Sequence, residues 1–378
     1  MKYRRAGIVA SILLLATAGP ATGDVLPDDR ADILYHLYDG GGVTIEGPSI
    51  LVRKKAGKSV SFVANYYVDM ISSASIDVVT TASPYTEERE QMSIGMDYLR
   101  GNTVMSISVT NSEESDFTSD SYSFSVSQGM FGDLTTLTLA YSLSNDEVRR
   151  SDDDTFVRDA DRQFYSVGLT QIVTRNLIMG LNVETITDEG FLNNPYRTVR
   201  YVDSSNPIGY SYEAELYPNT RTSTAVGIRA RYYLPYRAAI QGEYRFFTDT
   251  WGILSHTGAI SYTHPWGAWT FTGKYRHYTQ GQADFYSDLF PRSEATNFRG
   301  RDKELSKFVS QNFRLQASYG FLQDGWGFVD RGTVNLIYDQ LLIDYDNFRD
   351  LTTGALVGEE PAYRLDAGFY QVFVSFWF

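Results

Sequence analysis

An all-β fold, a closed transmembrane antiparallel barrel of about 14 strands, is what three features of this sequence predict. The chain ends on a stretch, FYQVFVSFWF, whose apolar residues alternate back from the last position. Its 378 residues hold runs of about ten with a period of two, and short turn-like connections alternate with long polar ones. Composition agrees. Tyr 28, Phe 22 and Trp 5 make the chain 15% aromatic, while mean hydropathy is only −0.28. A barrel wall combines these values, because it needs apolar residues on alternate positions only and aromatic rings at the two lipid interfaces.

From the N-terminus, residues 1–23 read as a secretory signal peptide. Lys2, Arg4 and Arg5 precede an apolar run from Ile8 to Ala16, and small residues follow at Ala16 to Ala18 and Ala21 to Gly23. The run is too short to span a bilayer as a helix, and no later stretch approaches 18 consecutive apolar residues. An exported chain of this kind is soluble or an outer-membrane barrel of a Gram-negative cell. With no cysteine in the chain, disulfides are excluded.

Residues 24–57 are expected to lie outside the wall, in the periplasm or inserted in the lumen as a plug. The run at 45–55, IEGPSILVRKK, is a candidate strand, but Pro48 and the preceding Gly40, Gly41 and Gly42 argue against it. Arg53 and Lys54 would belong to the same plug, whose acids Asp24, Asp28, Asp29 and Asp32 suit a basic lumen.

The barrel proper is expected over 58–378. Strands are predicted near 59–69, 90–100, 103–112, 118–128, 134–144, 163–173, 177–187, 222–234, 237–248, 253–264, 268–279, 309–321, 331–344 and 363–378. Counts of 12 or 16 also fit the pattern. In LIMGLNVE, Leu177, Met179, Leu181 and Val183 take one face while Gly180, Asn182 and Glu184 take the other. Turn chemistry marks short connections at 101–102, 130–133, 174–176, 234–236 and 265–267. An even strand count puts both ends in the periplasm and the long segments 70–89, 145–162, 188–221, 280–308 and 345–362 outside. On the last strand Tyr370, Phe376 and Phe378 form the expected signal for the barrel-assembly machinery. A soluble protein ending there would leave an aromatic edge unpaired. Lipids and lipopolysaccharide are the partners expected around such a wall.

If apolar residues face lipid, Arg229, Arg231, Glu243, Arg245, Lys274, Arg276 and Arg314 point inwards from neighbouring strands. A chain of net charge −13 would then carry a basic stripe inside. Three roles are open to it: salt-bridged packing with Glu243, Glu184 and Asp339, a pathway or site for anions, or docking of an acidic peptide. The acidic balance weighs against nucleic acid as a partner.

Three stretches, GGGVTIEGPSILVRKK (40–55), NYYVDMISSASIDVVTTASPYTEER (65–89) and DYLRGNTVMSISVTNSEESDF (97–117), resemble the opening of a family of predicted Gram-negative outer-membrane barrels known as a domain of unknown function. The resemblance covers nearly the whole mature chain. It implies genes beside a small lipoprotein, a thioredoxin-like protein and a flavin transferase, and so a part in an envelope redox or cofactor-handling system.

Other chemistry finds little support. Segment 145–162 mixes seven acids with four arginines but lacks the oxygen spacing and glycine of a calcium loop, and a solvated loop meeting lipopolysaccharide explains it. Segment 75–90 is less polar and long for a turn, with the reach to fold over the mouth. No motif of nucleophilic catalysis surrounds His36, His256, His264 or His277, of which His277 is the one to test. Metal-ligand spacing, phosphate loops and dinucleotide fingerprints are absent, so no cofactor is expected. The leading expectation is a non-enzymatic barrel that houses or passes a partner supplied from the periplasm, a small lipoprotein or its peptide. The alternatives are an anion-preferring, porin-like channel and, third, a barrel-rim hydrolase.

Overall fold

The computed structural model describes residues 25–73, 85–322 and 325–378. The expected signal peptide lies outside them, as does most of segment 75–90. A first hairpin, β1 (Arg30–Gly40) and β2 (Val43–Ala56), leads into β3 (Val60–Ser73), β4 (Tyr85–Arg100), β5 (Thr103–Glu113), β6 (Phe117–Met130), β7 (Thr135–Arg149), β8 (Val157–Thr174) and β9 (Leu177–Gly190). A separate ribbon follows, β10 (Thr198–Val202) and β11 (Tyr210–Ala214). The wall resumes with β12 (Thr220–Tyr233), β13 (Ala239–Asp249), β14 (Leu254–Trp266), β15 (Trp269–Gln280), β16 (Phe308–Phe321), β17 (Arg331–Arg349) and β18 (Ala362–Trp377).

All these strands except β10 and β11 close into one antiparallel barrel of 16. The expected count of 14 is therefore two short, and the two missing strands are β1 and β2. Each of the 14 expected strands has its counterpart among β3–β9 and β12–β18. The plug assignment of Gly40, Gly41, Gly42, Pro48, Arg53 and Lys54 is overturned: all six belong to the first hairpin, which is wall.

Closure is the reason. Strand β1 pairs with β18 from Arg30 opposite Trp377 to Gly40 opposite Ala367, and so covers the edge that the closing strand would otherwise leave bare. Gly41 and Gly42 have φ of +60° and +77°. Two left-handed residues in a row make the tight turn whose twist suits a hairpin, so the glycines mark a turn between strands. Pro48 sits where the β2–β3 ladder lapses for two residues, between Glu46–Met70 and Ser49–Tyr67. Its missing N–H falls in that lapse. At Gly47 the chains approach so closely that a Cβ would stand 1.9 Å from the Val68 carbonyl oxygen.

The outer surface is apolar around the ring: Ile33 and Ile50, Ile94, Ile107, Val167, Ile228, Leu315 and Val372 are among the exposed residues. In water such a belt would drive association. In a bilayer core it meets its own kind, while every strand has a partner on both sides and leaves no backbone edge to lipid.

The two ends differ. At the terminal end the strands join by turns such as 101–102, 175–176 and 267–268. At the other end, segments 191–219, 281–307 and 350–361 fold together. Leu216 and Arg299 exchange backbone hydrogen bonds of 2.9 and 2.7 Å, and Val202 and Arg200 bracket Phe290 with two of 2.9 Å. An apolar cluster of Tyr217, Trp251, Ile253, Ala283, Tyr286 and Leu305 fixes this layer to the rim.

Candidate functional site: lumen and mouth

The folded layer crosses the mouth. In segment 191–219, the Tyr196 hydroxyl donates to Asp116, in the β5–β6 connection, at 2.7 Å. Four residues on, the guanidinium of Arg200 binds Glu360, in the β17–β18 connection. Those two connections are separated around the ring by six strands one way and ten the other. A segment touching both arcs within four residues must lie over the opening.

Buried charge holds this cap together. Arg200 is fully buried and pairs with Asp288 and Glu360, so three segments meet at one guanidinium. Asp288 also takes Arg301 at 2.9 Å and Arg349 at 3.8 Å. Burial opposes the charge on Arg200, but the hydrogen bond it donates to Glu360 and the field of Asp288 raise its pKa. Burial also opposes the Glu360 charge, yet the Arg200 hydrogen bond holds its carboxyl below the ordinary value. Glu215 differs. It accepts from the Arg301 backbone N–H at 2.7 Å and the Tyr217 hydroxyl at 2.6 Å. Burial and then the charge of Asp302 push it up to about 7.

Below the cap, strand register divides the lumen into three walls. The first, from β4 to β9, is small and polar: Ser93 meets Thr110 at 2.8 Å, Ser127 meets Thr138 at 3.1 Å, and Ser166 donates to Asn182 at 3.0 Å.

The second wall, β9 and β12–β16, brings together all seven residues expected in the basic stripe. Opposite pairs run Arg229–Glu243, Arg231–Gln241, Lys274–Arg314 and Arg276–Asn312. Part of the stripe is packing: Lys274 pairs with Glu243 at 2.7 Å, Arg245 with Glu184 at 3.0 Å and Arg314 with Asp339 at 2.9 Å. Arg231 donates to Gln241 at 2.6 Å. Among the described residues, Arg229 and Arg276 have no carboxylate at ion-pair distance. Arg229 lies across Gly180, where a Cβ would stand 2.7 Å from its Nε, and Arg276 lies 5.5 Å from the Tyr278 ring centre. Setting aside the neutral Arg314–Asp339 pair, five cations face the two carboxylates Glu184 and Glu243.

The third wall, β17, β18 and β1–β3, carries apolar side chains set among the inward-facing Asn335, Asp339, Gln371, Asp32, Ser49 and Asn65. Residues alternating with the lipid-facing Leu336, Tyr370 and Val372 turn inwards, among them Ile337, Leu341, Phe369 and Phe373. Leu34 and Leu51 continue the surface across the seam. A polar island interrupts it. His36 Nε2 lies 2.8 Å from Asp69 and 3.1 Å from the Tyr67 hydroxyl, and Arg89 pairs with the same Asp69. Sequence reasoning missed this island. Its members lie on β1, β3 and β4, and no spacing announces them.

The former plug residues have ordinary wall contacts: Arg53 pairs inwards with Asp97, and Lys54 pairs with Asp29 at 2.8 Å. Asp28 is likewise held at the terminal rim, 3.5 Å from both Lys55 and Arg331. His277 is opposite Gly258 and Gln311 and points outwards, as its neighbours Arg276 and Tyr278 point in. That removes it from any catalytic group in the lumen. Of the four histidines, all among the described residues, His36 alone faces inwards. Tyr370, Phe376 and Phe378 lie at the closing strand, with the Phe378 N–H 3.3 Å from the Asp29 carbonyl oxygen and Lys54 Nζ 4.7 Å from the Phe378 ring centre.

A closed, edge-free sheet with an apolar belt outside and charged residues within is an outer-membrane β-barrel, of the fold used by transporters and channels. The chain belongs to the family described as Protein of unknown function (DUF3570), whose sequence model matches residues 76–165 and 156–325. No curated protein matches it. Among solved structures it is similar to a bacterial polysaccharide outer membrane secretin, at 7% identity and TM-score 0.50, covering 93% of this chain and 100% of that one. It is also similar to a FadL homologue of Pseudomonas aeruginosa, at 9% identity and TM-score 0.48, covering 96% and 93% of the two chains. The siderophore receptor PirA of Pseudomonas aeruginosa matches at 10% identity and TM-score 0.47 over 92% of this chain, which spans 63% of that receptor. At such identities the likeness concerns the fold and carries nothing about cargo.

Proposed function

We propose that this protein is a non-enzymatic outer-membrane barrel whose lumen admits small organic anions, with both termini in the periplasm and the cap at the cell surface. The excess of cations over carboxylates on the wall of β9 and β12–β15 carries this reading, above all the unpaired Arg229 and Arg276. A lumen wall of one sign, bounded by low-dielectric protein, raises the local concentration of the opposite charge. The facing serines and threonines offer hydrogen bonds without competing negative charge.

The cap favours a second reading, in which the barrel houses a partner delivered from the periplasm, a small lipoprotein or its peptide within an envelope redox or flavin-linked system. With residues 30–56 built into the wall, that partner would be a separate chain. Reversal potential in a salt gradient across a planar bilayer separates the two. Anion-selective steps that lose their selectivity in Arg229→Gln/Arg276→Gln support the anion pathway. A folded but silent barrel favours the housed partner, and cation selectivity refutes the role given to the basic wall.

A further inference from the structure

We infer that the anion this lumen takes is amphiphilic, a free acid whose charged head meets the basic wall while its hydrocarbon chain lies on the apolar side chains of the wall beside it. The inference rests on the anion-admitting lumen proposed above and adds the substrate class.

Water-filled barrels keep polar residues inside, because an apolar inner surface is costly to hydrate. Here Ile337, Leu341, Phe369, Phe373, Leu34 and Leu51 all turn inwards on consecutive strands β17, β18, β1 and β2, and all six remain only half-buried. Those nearest the cap have a structural duty, since Leu341 packs with Tyr38 and Ile343 against the cluster of Tyr345, Phe348, Leu365 and Ala367. That duty does not extend to Ile337, Phe373, Leu34 or Leu51, which lie outside the cluster.

Register sets the two walls side by side. Arg276 is opposite Asn312, which is opposite Leu341. Arg314 is opposite Asp339, which is opposite Phe369. A free cation and the start of the apolar surface are thus two strands apart, about 10 Å at ordinary strand spacing. The first wall, of serines and threonines, suits neither a second charged group nor a chain. A ligand with one anionic head and one apolar body matches this division, whereas a compact, fully hydrated anion would use one wall and leave the other wet.

The test is equilibrium binding of octanoate, butyrate and octanol to the full-length barrel in nanodiscs, with protein-free nanodiscs as the blank. Each methylene that leaves water changes affinity about fourfold, so burying two of octanoate's additional four makes it bind about 15-fold tighter than butyrate. Arg229→Gln/Arg276→Gln should weaken both acids. Ile337→Asn/Leu34→Asn should bring octanoate down to the butyrate level and leave butyrate unchanged; Phe373→Ser serves if that variant fails to assemble. Equal affinity for the two acids, both weakened by the arginine variant, overturns the amphiphile while the anion-admitting lumen stands. Octanol binding as tightly as octanoate removes the role of the charged head. Acid binding indifferent to the arginine variant overturns the underlying reading as well.

Discussion

Arg200→Met should open the cap without opening the barrel. At Arg200 segments 191–219, 281–307 and 350–361 meet at a single side chain, and the substitution strands Asp288 and Glu360 in a region from which water is excluded. Removing one member of a buried ion pair costs about 3–5 kcal/mol, chiefly because the remaining charge is uncompensated. Asp288 retains Arg301 at 2.9 Å, which places the expected loss near the lower bound, about 3 kcal/mol. At about 1.4 kcal/mol per factor of ten, opening of the cap becomes about a hundredfold more frequent. Hydrogen exchange at the amides of β10 and β11 reads this directly, since that ribbon pairs only with itself and with the other cap segments. The wall strands should keep their protection, because each is paired on both sides. Unchanged exchange at 198–214, or a loss spread evenly over the wall, would refute the view that the buried guanidinium holds the cap.

Acidity should tighten the cap through Glu215. Its carboxyl is raised from 4.5 to about 7 in the fold, so the folded state binds the proton more strongly. That contribution is complete below about pH 4.5 and is lost as pH rises to 7 and beyond; protection at 198–214, corrected for the base-catalysed intrinsic exchange rate, should therefore fall between pH 5 and 8, and Glu215→Gln should flatten the profile. Gly180→Val should displace Arg229, whose Nε would stand 2.7 Å from the new Cβ, lowering anion selectivity while heat-modifiable barrel persists. An unaltered reversal potential would show that the posture of Arg229 is immaterial. Phe378→Asp should reduce folded barrel in the outer membrane, as the terminal residue packs against Lys54 and hydrogen-bonds to Asp29; normal levels of assembled protein would count against that role.

Much of the wall could be read directly from the chain. A strand's side chains alternate with a period of two, so LIMGLNVE and FYQVFVSFWF announce their inner and outer faces. The same alternation placed Arg229, Arg245, Lys274 and Arg276 on one inner wall before any pairing was known. It misses the first hairpin, because Gly41, Gly42 and Pro48 read locally as strand breakers and a single extra strand at 45–55 would make the count odd. Whether two glycines break a strand or turn a hairpin depends on what lies beyond them, and whether a proline costs a ladder bond depends on the neighbour it faces.

Local alternation thus determined strand positions, the lipid face and the basic inner stripe, since each depends on residues a few places apart. Tertiary structure alone decided the rest. Closure is a contact between Arg30 and Trp377, and the cap is held by Arg200 meeting Asp288 and Glu360, 88 and 160 residues away. The division of the lumen into polar, basic and partly apolar walls likewise follows from ring order. Contacts over such separations depend on which strands the barrel makes neighbours, and a periodicity within one strand carries no information about its partner.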